Sequence, residues 1–205
     1  MIIIGLSVSI GMGKSTTAAM FRDCGVAVHD SDQAVHNLYN GPEASRIEAA
    51  FPGVVVKGKV DRWLLSGIVL FDPERLRVLE AIVHPFVAED RDAFVSGERA
   101  RNSHEVLIDV PLLFETGAAA NVDVIVVVTA SANVQRERVL SRPGMSVERF
   151  EAILAKQMSD SEKRRRAHFV IHTDMGLTAA RQEVRACLKA LGLSRSASGE
   201  LLCVK

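Results

Sequence analysis

Gly11-Met12-Gly13-Lys14-Ser15-Thr16 sets two glycines, an amine and two hydroxyls in consecutive positions. That grouping suits a polyphosphate. Backbone N–H groups around Gly11 and Gly13, unpaired where a helix begins and aligned with its positive dipole end, would cradle the anion. Lys14 would bring a mobile positive charge to the β- and γ-phosphates, and the Ser15 hydroxyl would be a magnesium ligand.

The segment fits the phosphate-loop template G-x-x-x-x-G-K-[ST] except at its first glycine, where this chain has Val8. A β-branched residue resists positive φ and fills space. Two expectations follow: Val8 lies extended with its side chain away from the phosphates, or nucleotide binding is weakened.

Two carboxylate groups stand at comparable places. Residues 25–29 read as a strand that ends in Asp30-Ser31-Asp32, and residues 106–109 as a strand that ends in Asp109. Residues beyond the carboxyl ends of strands face the ligand in open parallel sheets. One of Asp30 and Asp32 is expected to cap the helix over 33–39, which leaves the other for chemistry. Asp109 is the expected companion of the phosphate loop, beside Ser15 and near magnesium.

These residues need a scaffold. The uncharged β-branched run Ile2-Ile3-Ile4 reads as a strand buried on both faces, leading through the glycines into a helix over 16–24. Further strands are expected at 122–129 and 168–171, with helices over 132–140 and 177–191. Between residues 41 and 101 the apolar spacing is helical over 42–51, 60–70 and 73–101, with Asp61 and Asp72 as caps and Pro85 kinking or splitting the last helix just after His84. That is more helix than one crossover requires, so residues 41–102 read as a helical insertion carrying the acceptor substrate. Basic residues gather between Arg136 and Arg166. Helical stretches on either side of Arg142-Pro143-Gly144 suggest a two-helix lid, about 141–166, whose turn carries Arg142 over the transferring phosphoryl group. Interspersed glutamates make the remaining charges, including the run 163–166, a solvated face.

The chain of 205 residues is 48% hydrophobic and 5% aromatic, with Lys+Arg and Asp+Glu both 25. Zero formal charge provides no global field for nucleic acid or an anionic membrane, so anion handling must be local. Cys24, Cys187 and Cys203 are far apart and odd in number, which argues against a disulfide framework or zinc site and fits a reducing cytoplasm. The apolar amino terminus lacks a basic flank and is soon interrupted by Gly and Lys, unlike a signal peptide or membrane span. The reading is one domain, with its core at about 1–40, 103–140 and 167–191 and a loose Ser-rich tail from 192.

Gly5-Leu6-Ser7, Gly11 to Thr16, Asp30-Ser31-Asp32, Asp61-Arg62-x-x-Leu65, His84-Pro85, Asp109-x-Pro111-Leu112-Leu113-Phe114-Glu115, Arg138-x-x-x-Arg142 and Gln157 together resemble the dephospho-coenzyme A kinase family, in order and over most of the chain. The resemblance implies an α/β fold: a P-loop kinase core on a five-stranded parallel sheet, with a helical substrate-binding insertion and a helical lid. It implies ATP and Mg²⁺, and phosphorylation of the ribose 3′-hydroxyl of dephospho-coenzyme A to give coenzyme A and ADP. Catalytic roles would fall to Asp32, Lys14 and Arg142. Nucleotide contacts would come from Gly11, Met12, Gly13, Lys14, Ser15, Thr16, Arg138 and Arg142, and acceptor contacts from Asp32, Arg62, His84, Pro111, Leu112 and Leu113. Ser15 and Asp109 would hold the metal. Departures from the family pattern are Val8, in place of glycine, and Ser7, in place of the usual threonine. Neither nucleic acid nor a membrane is expected as a partner of the neutral chain, and the sequence leaves the oligomeric state open between a monomer and a small homo-oligomer. The alternatives are another small-acceptor kinase, acting on a nucleoside monophosphate or a shikimate-like molecule, a weakened nucleotide-binding member because of Val8, and a nucleotide-dependent switch. Lack of an Asn-Lys-x-Asp segment counts against a GTPase.

Overall fold

The computed structural model describes residues 1–70, 72–110 and 112–193. Its first strand β1 (Ile2–Val8) feeds through the glycine turn into α1 (Lys14–Asp23), and β2 (Ala27–Asp30) runs directly into α2 (Ser31–Asn40). There follow α3 (Ala44–Ala50), a small hairpin of β3 (Val55–Val56) and β4 (Lys59–Val60), α4 (Arg62–Val69) and the long α5 (Pro73–Ala100). The chain then alternates through β5 (Glu105–Asp109), β6 (Val124–Thr129), α6 (Ala132–Leu140), α7 (Val147–Ala155), α8 (Asp160–Arg166), β7 (Phe169–His172) and α9 (Leu177–Ala190).

The five-stranded sheet has the order β2-β5-β1-β6-β7, with β1 in the middle. β1 pairs in parallel with both neighbours, Leu6 opposite Asp109 on β5 and Val8 opposite Val128 on β6. The register therefore brings the carboxyl ends of β1 and β5 side by side, where an open parallel sheet collects its ligand-facing residues. β-branched runs suit strands covered on both faces. Ile4, Leu6, Val8, Leu107, Val126, Val128 and Ile171 accordingly pack against Met20 and Phe21 of α1 and against Ala180, Val184 and Leu188 of α9. Phe21 is fully buried, which contributes about 2–3 kcal/mol. Cys187 lies in the same cluster, and burial pushes its thiol pKa up to about 12.

Two compact units divide the chain, Met1–His29 with Glu98–Lys205 and Asp30–Gly97. The second has its own core of Ala44, Ile47, Phe51, Val54, Val60, Leu65, Val69 and Leu79. Its hairpin turns through Lys57 and Gly58, both at positive φ, the geometry that tight hairpins favour. The helix expected from residue 60 begins instead at Arg62, because Asp61 caps it by accepting from the amides of Trp63 and Leu64. Nor does Pro85 split the last helix, since α5 continues through it. Proline removes one amide donor, at roughly 3 kcal/mol, while Leu79, Ile82 and Val83 anchor the preceding turns in the core. Among the described residues no helix is long and apolar enough to cross a membrane. The tail expected to be loose falls mostly outside the described residues.

Candidate active site

The helix α1 starts without a side-chain cap. Gly13 is its N-cap in the left-handed region at φ 98°, with no side chain to bond the free N–H groups, and the first turn holds no acidic residue. The positive end of the helix is thus left for an anion. Gly11 is also left-handed, at φ 80°, and a Cβ there would stand 2.4 Å from Val139 Cγ2. Only glycine fits both the dihedral angle and the space.

The loop around these glycines is held from outside. Ile10 donates its amide to Gln157 Oε1 at 3.1 Å and accepts at its carbonyl from Gln135 Nε2 at 2.8 Å. Thr173, just after β7, donates its hydroxyl to the Met12 carbonyl at 2.9 Å. Arg138 in turn donates to Thr173 Oγ1 at 2.9 Å and to its carbonyl at 2.8 Å. Two neutral amides, a hydroxyl and a guanidinium therefore fix the turn before any phosphate arrives.

Val8 takes the first of its two expected roles. It is the last residue of β1, has no positive φ, and is only 4% exposed, its side chain packed in the main core. Its carbonyl accepts from Lys163 Nζ at 3.2 Å. Lys163 itself corrects an expectation: the run 163–166 is a solvated face only at Arg164, Arg165 and Arg166, whereas Lys163 is fully buried and pairs with Glu115 Oε1 at 2.9 Å.

Lys14 Nζ donates to Asp109 Oδ2 at 3.0 Å. The carboxylate side chain is 2% exposed and the lysine 15%. This pair follows from the register of β1 on β5, and it joins the loop lysine to the strand-end aspartate that the sequence put in one site. Ser15 and Thr16 are exposed at the start of α1, while Met12 is buried and reaches the loop through its backbone. A cavity of about 330 Å³ is lined by Gly11, Gly13, Thr16, Arg138, Arg142 and Thr173, with Met20, Leu177 and Ala180 as its apolar part. Arg138 in the last turn of α6 and Arg142 in the turn just beyond its end thus share a cleft with the glycine loop.

In the second unit, Asp30 caps α2, its carboxylate accepting from the amides of Asp32 at 3.0 Å and Gln33 at 3.1 Å. Asp32 is accordingly the carboxylate left over from the cap, and it lines a cavity of about 520 Å³ with Val35, Tyr39, Arg62, Leu65 and Ser66. Arg62 lies over the Tyr39 ring and within 3.2 Å of His36 Nδ1, which fixes its direction. A carboxylate and a guanidinium on apolar walls suit a polar ligand with a flat or aliphatic part. His84 is exposed on α5 and, among the described residues, is not part of this wall. Leu112 is exposed, but Leu113 is fully buried against Ile125 and Val127 and packs the sheet rather than an acceptor. Pro111 lies outside the described residues.

Thr173, Gln135 and Lys163 were not singled out by sequence reasoning as parts of the site. Thr173 follows a strand end, so the rule about carboxyl ends would have reached it; nothing in the spacing signals the other two.

A parallel sheet with a glycine loop, an amine and a strand-end carboxylate at the mouth of its central strand defines a P-loop kinase. The model of the family described as CoaE, dephospho-CoA kinase, matches residues 2–179. A dephospho-CoA kinase of Mesorhizobium japonicum is 57% identical over 191 residues, 93% of this chain and 97% of that one. A solved structure from Thermus thermophilus superposes with a TM-score of 0.80 at 35% identity, covering 93% and 97% of the two chains. The dephospho-CoA kinase of Campylobacter jejuni does so with a TM-score of 0.69 at 25% identity, covering 92% and 96%. The chain belongs to the dephospho-CoA kinase family.

Proposed function

We propose that the chain transfers the γ-phosphoryl group of ATP to the ribose 3′-hydroxyl of dephospho-coenzyme A, giving coenzyme A and ADP. The observation that carries this reading is the uncapped start of α1, with Gly11, Gly13 and Thr16 lining one cavity with Arg138 and Arg142. Phosphoryl transfer asks the protein for alignment and charge neutralisation more than for covalent chemistry. Lys14 and Arg142 supply positive charge, and the amides of the glycine loop supply donors that need no reorganisation.

Asp32 is the acceptor-side carboxylate in this reading. A ribose hydroxyl is a weak acid, so Asp32 orients it and takes its proton late, as the new bond to phosphorus forms. Arg62 anchors the acceptor from the same cavity wall.

The Ser15 hydroxyl and the Asp109 carboxylate are hard oxygen donors of the kind that hold Mg²⁺ together with phosphates and water. A bound Mg²⁺ would neutralise the β- and γ-phosphate oxygens. Among the described residues there is no group of three or more His, Cys, Asp or Glu that could hold a metal ion by itself.

ADP release from ATP is to be followed against a panel of acceptors. Turnover with dephospho-coenzyme A is expected. Turnover with a nucleoside monophosphate or shikimate and none with dephospho-coenzyme A would overturn the proposal.

A further inference from the structure

Lys163 is a fully buried cation in a position that aliphatic packing would fill at lower cost, since desolvating an ammonium costs several kcal/mol unless its partners restore it. Its partners are specific. Nζ donates to the Val8 carbonyl, at the root of the glycine loop, and to Glu115 Oε1. Glu115 Oε1 also accepts from the Met158 amide at 2.8 Å, and the preceding residue Gln157 accepts from Ile10 of the same loop. The segment joining α7 to α8 is therefore tied to the loop at Ile10 and, through Glu115 and Lys163, at Val8.

We infer that the Lys163–Glu115 pair is a positioning device for phosphoryl transfer, setting the glycine loop in its nucleotide-receiving shape by holding the Val8 carbonyl. A loop that binds an anion through its amides must keep its carbonyls pointed elsewhere, and the ammonium gives this one a fixed partner. Glu115 cancels the charge of Lys163, so the pair acts through geometry rather than through its field on the phosphates. Burial works to raise the Glu115 carboxyl, but the Lys163 ammonium and the Met158 amide hold it below its ordinary value. The Glu115 carboxylate is thus charged at neutral pH. Val8 fits the same arrangement as a strand residue whose backbone carbonyl, available to any residue at that position, serves the site while its side chain packs the core.

The inference rests on the reading that the glycine loop holds ATP, and the experiment separates the two. ATP affinity, steady-state kinetics and melting temperature are to be measured on the full chain for wild type, Glu115→Gln, Lys163→Met/Glu115→Gln and the control Arg165→Gln, whose side chain is 76% exposed on the same helix. At temperatures below each protein's melt, the neutral double variant should show a KM for ATP raised about tenfold or more, the scale of loss expected from displaced binding groups. Its KM for dephospho-coenzyme A should stay within about twofold, and Arg165→Gln should match wild type. A double variant that melts lower yet keeps wild-type kinetics would overturn the inference and leave the pair a purely structural one. Should that variant not fold, Glu115→Gln decides alone: a severalfold rise in KM for ATP supports the inference and a wild-type value overturns it. Wild-type protein that binds no ATP would instead remove the reading of the loop itself.

Discussion

The Lys14 ammonium lies 3.0 Å from Asp109 Oδ2, so the loop lysine and the aspartate at the end of the neighbouring strand form one charged pair at the mouth of the sheet. A lysine held by a buried carboxylate keeps a defined direction, which a flexible four-carbon chain would otherwise lack. Lys14→Met takes this partner from Asp109 and, in the proposed reaction, a positive charge from the transferring group. Turnover is expected to fall by roughly 10²–10³, the loss typical of a single transition-state donor. A steady-state assay with both substrates checks it.

Gly11→Ala should be the most damaging single methyl in the loop. Its Cβ would meet Val139 Cγ2 at 2.4 Å and the Gln135 carbonyl at 3.1 Å, at a φ that alanine resists. About 1–2 kcal/mol from the dihedral and about 1–3 kcal/mol from overpacking are expected. Gly117→Ala has a similar φ of 74° but nothing within 4 Å, and should lose only the first part. Urea unfolding with unchanged slope is the measure.

Val8→Gly should separate stability from binding. Deleting a buried side chain from a central strand costs about 2–4 kcal/mol. KM for ATP is expected to stay within about twofold, since the carbonyl partner of Lys163 remains. Denaturation and kinetics on the same preparation test both halves.

Asp30 and Asp32 are two residues apart yet should respond differently. Asp30→Ala removes a helix cap and is expected to cost about 1 kcal/mol of stability. Asp32→Asn should leave stability near wild type and KM for ATP unchanged while lowering kcat by about 10²–10⁴, the range for a general base.

The Glu115 carboxyl lies below its ordinary value of 4.5, so in the folded protein it stays charged to lower pH than in the unfolded chain. Its contribution to stability is complete above pH 4.5 and is lost as pH falls through the lower, folded value. The stability gap between wild type and Glu115→Gln should therefore be constant near neutrality and close in acid. Unfolding curves from pH 7 downward would show it.

The part of the fold around the glycine loop is the most legible. An apolar run, glycines at fixed spacing and a basic residue specify strand, turn and helix by local chemistry alone, and the aspartates at strand ends follow from the topology of parallel sheets. Asp30 and Asp32 could not be told apart by type; the amides at the start of α2 decide between them. The β3–β4 hairpin escaped notice because strands of two residues carry no period. Lys163 was misread because composition averages over a run, whereas burial is decided one residue at a time by what α8 packs against. Leu113 carried a family signature yet faces the sheet, since a motif records which residue is present and not where it points.

Ile10, with a glutamine on its amide and another on its carbonyl, also bears on how nucleotide capture is driven. The conformational entropy of this turn is surrendered when the chain folds, not when ATP arrives. Calorimetry of the encounter should then register little heat-capacity change from local refolding, and the glycine turn should resist proteolytic nicking even in nucleotide-free protein.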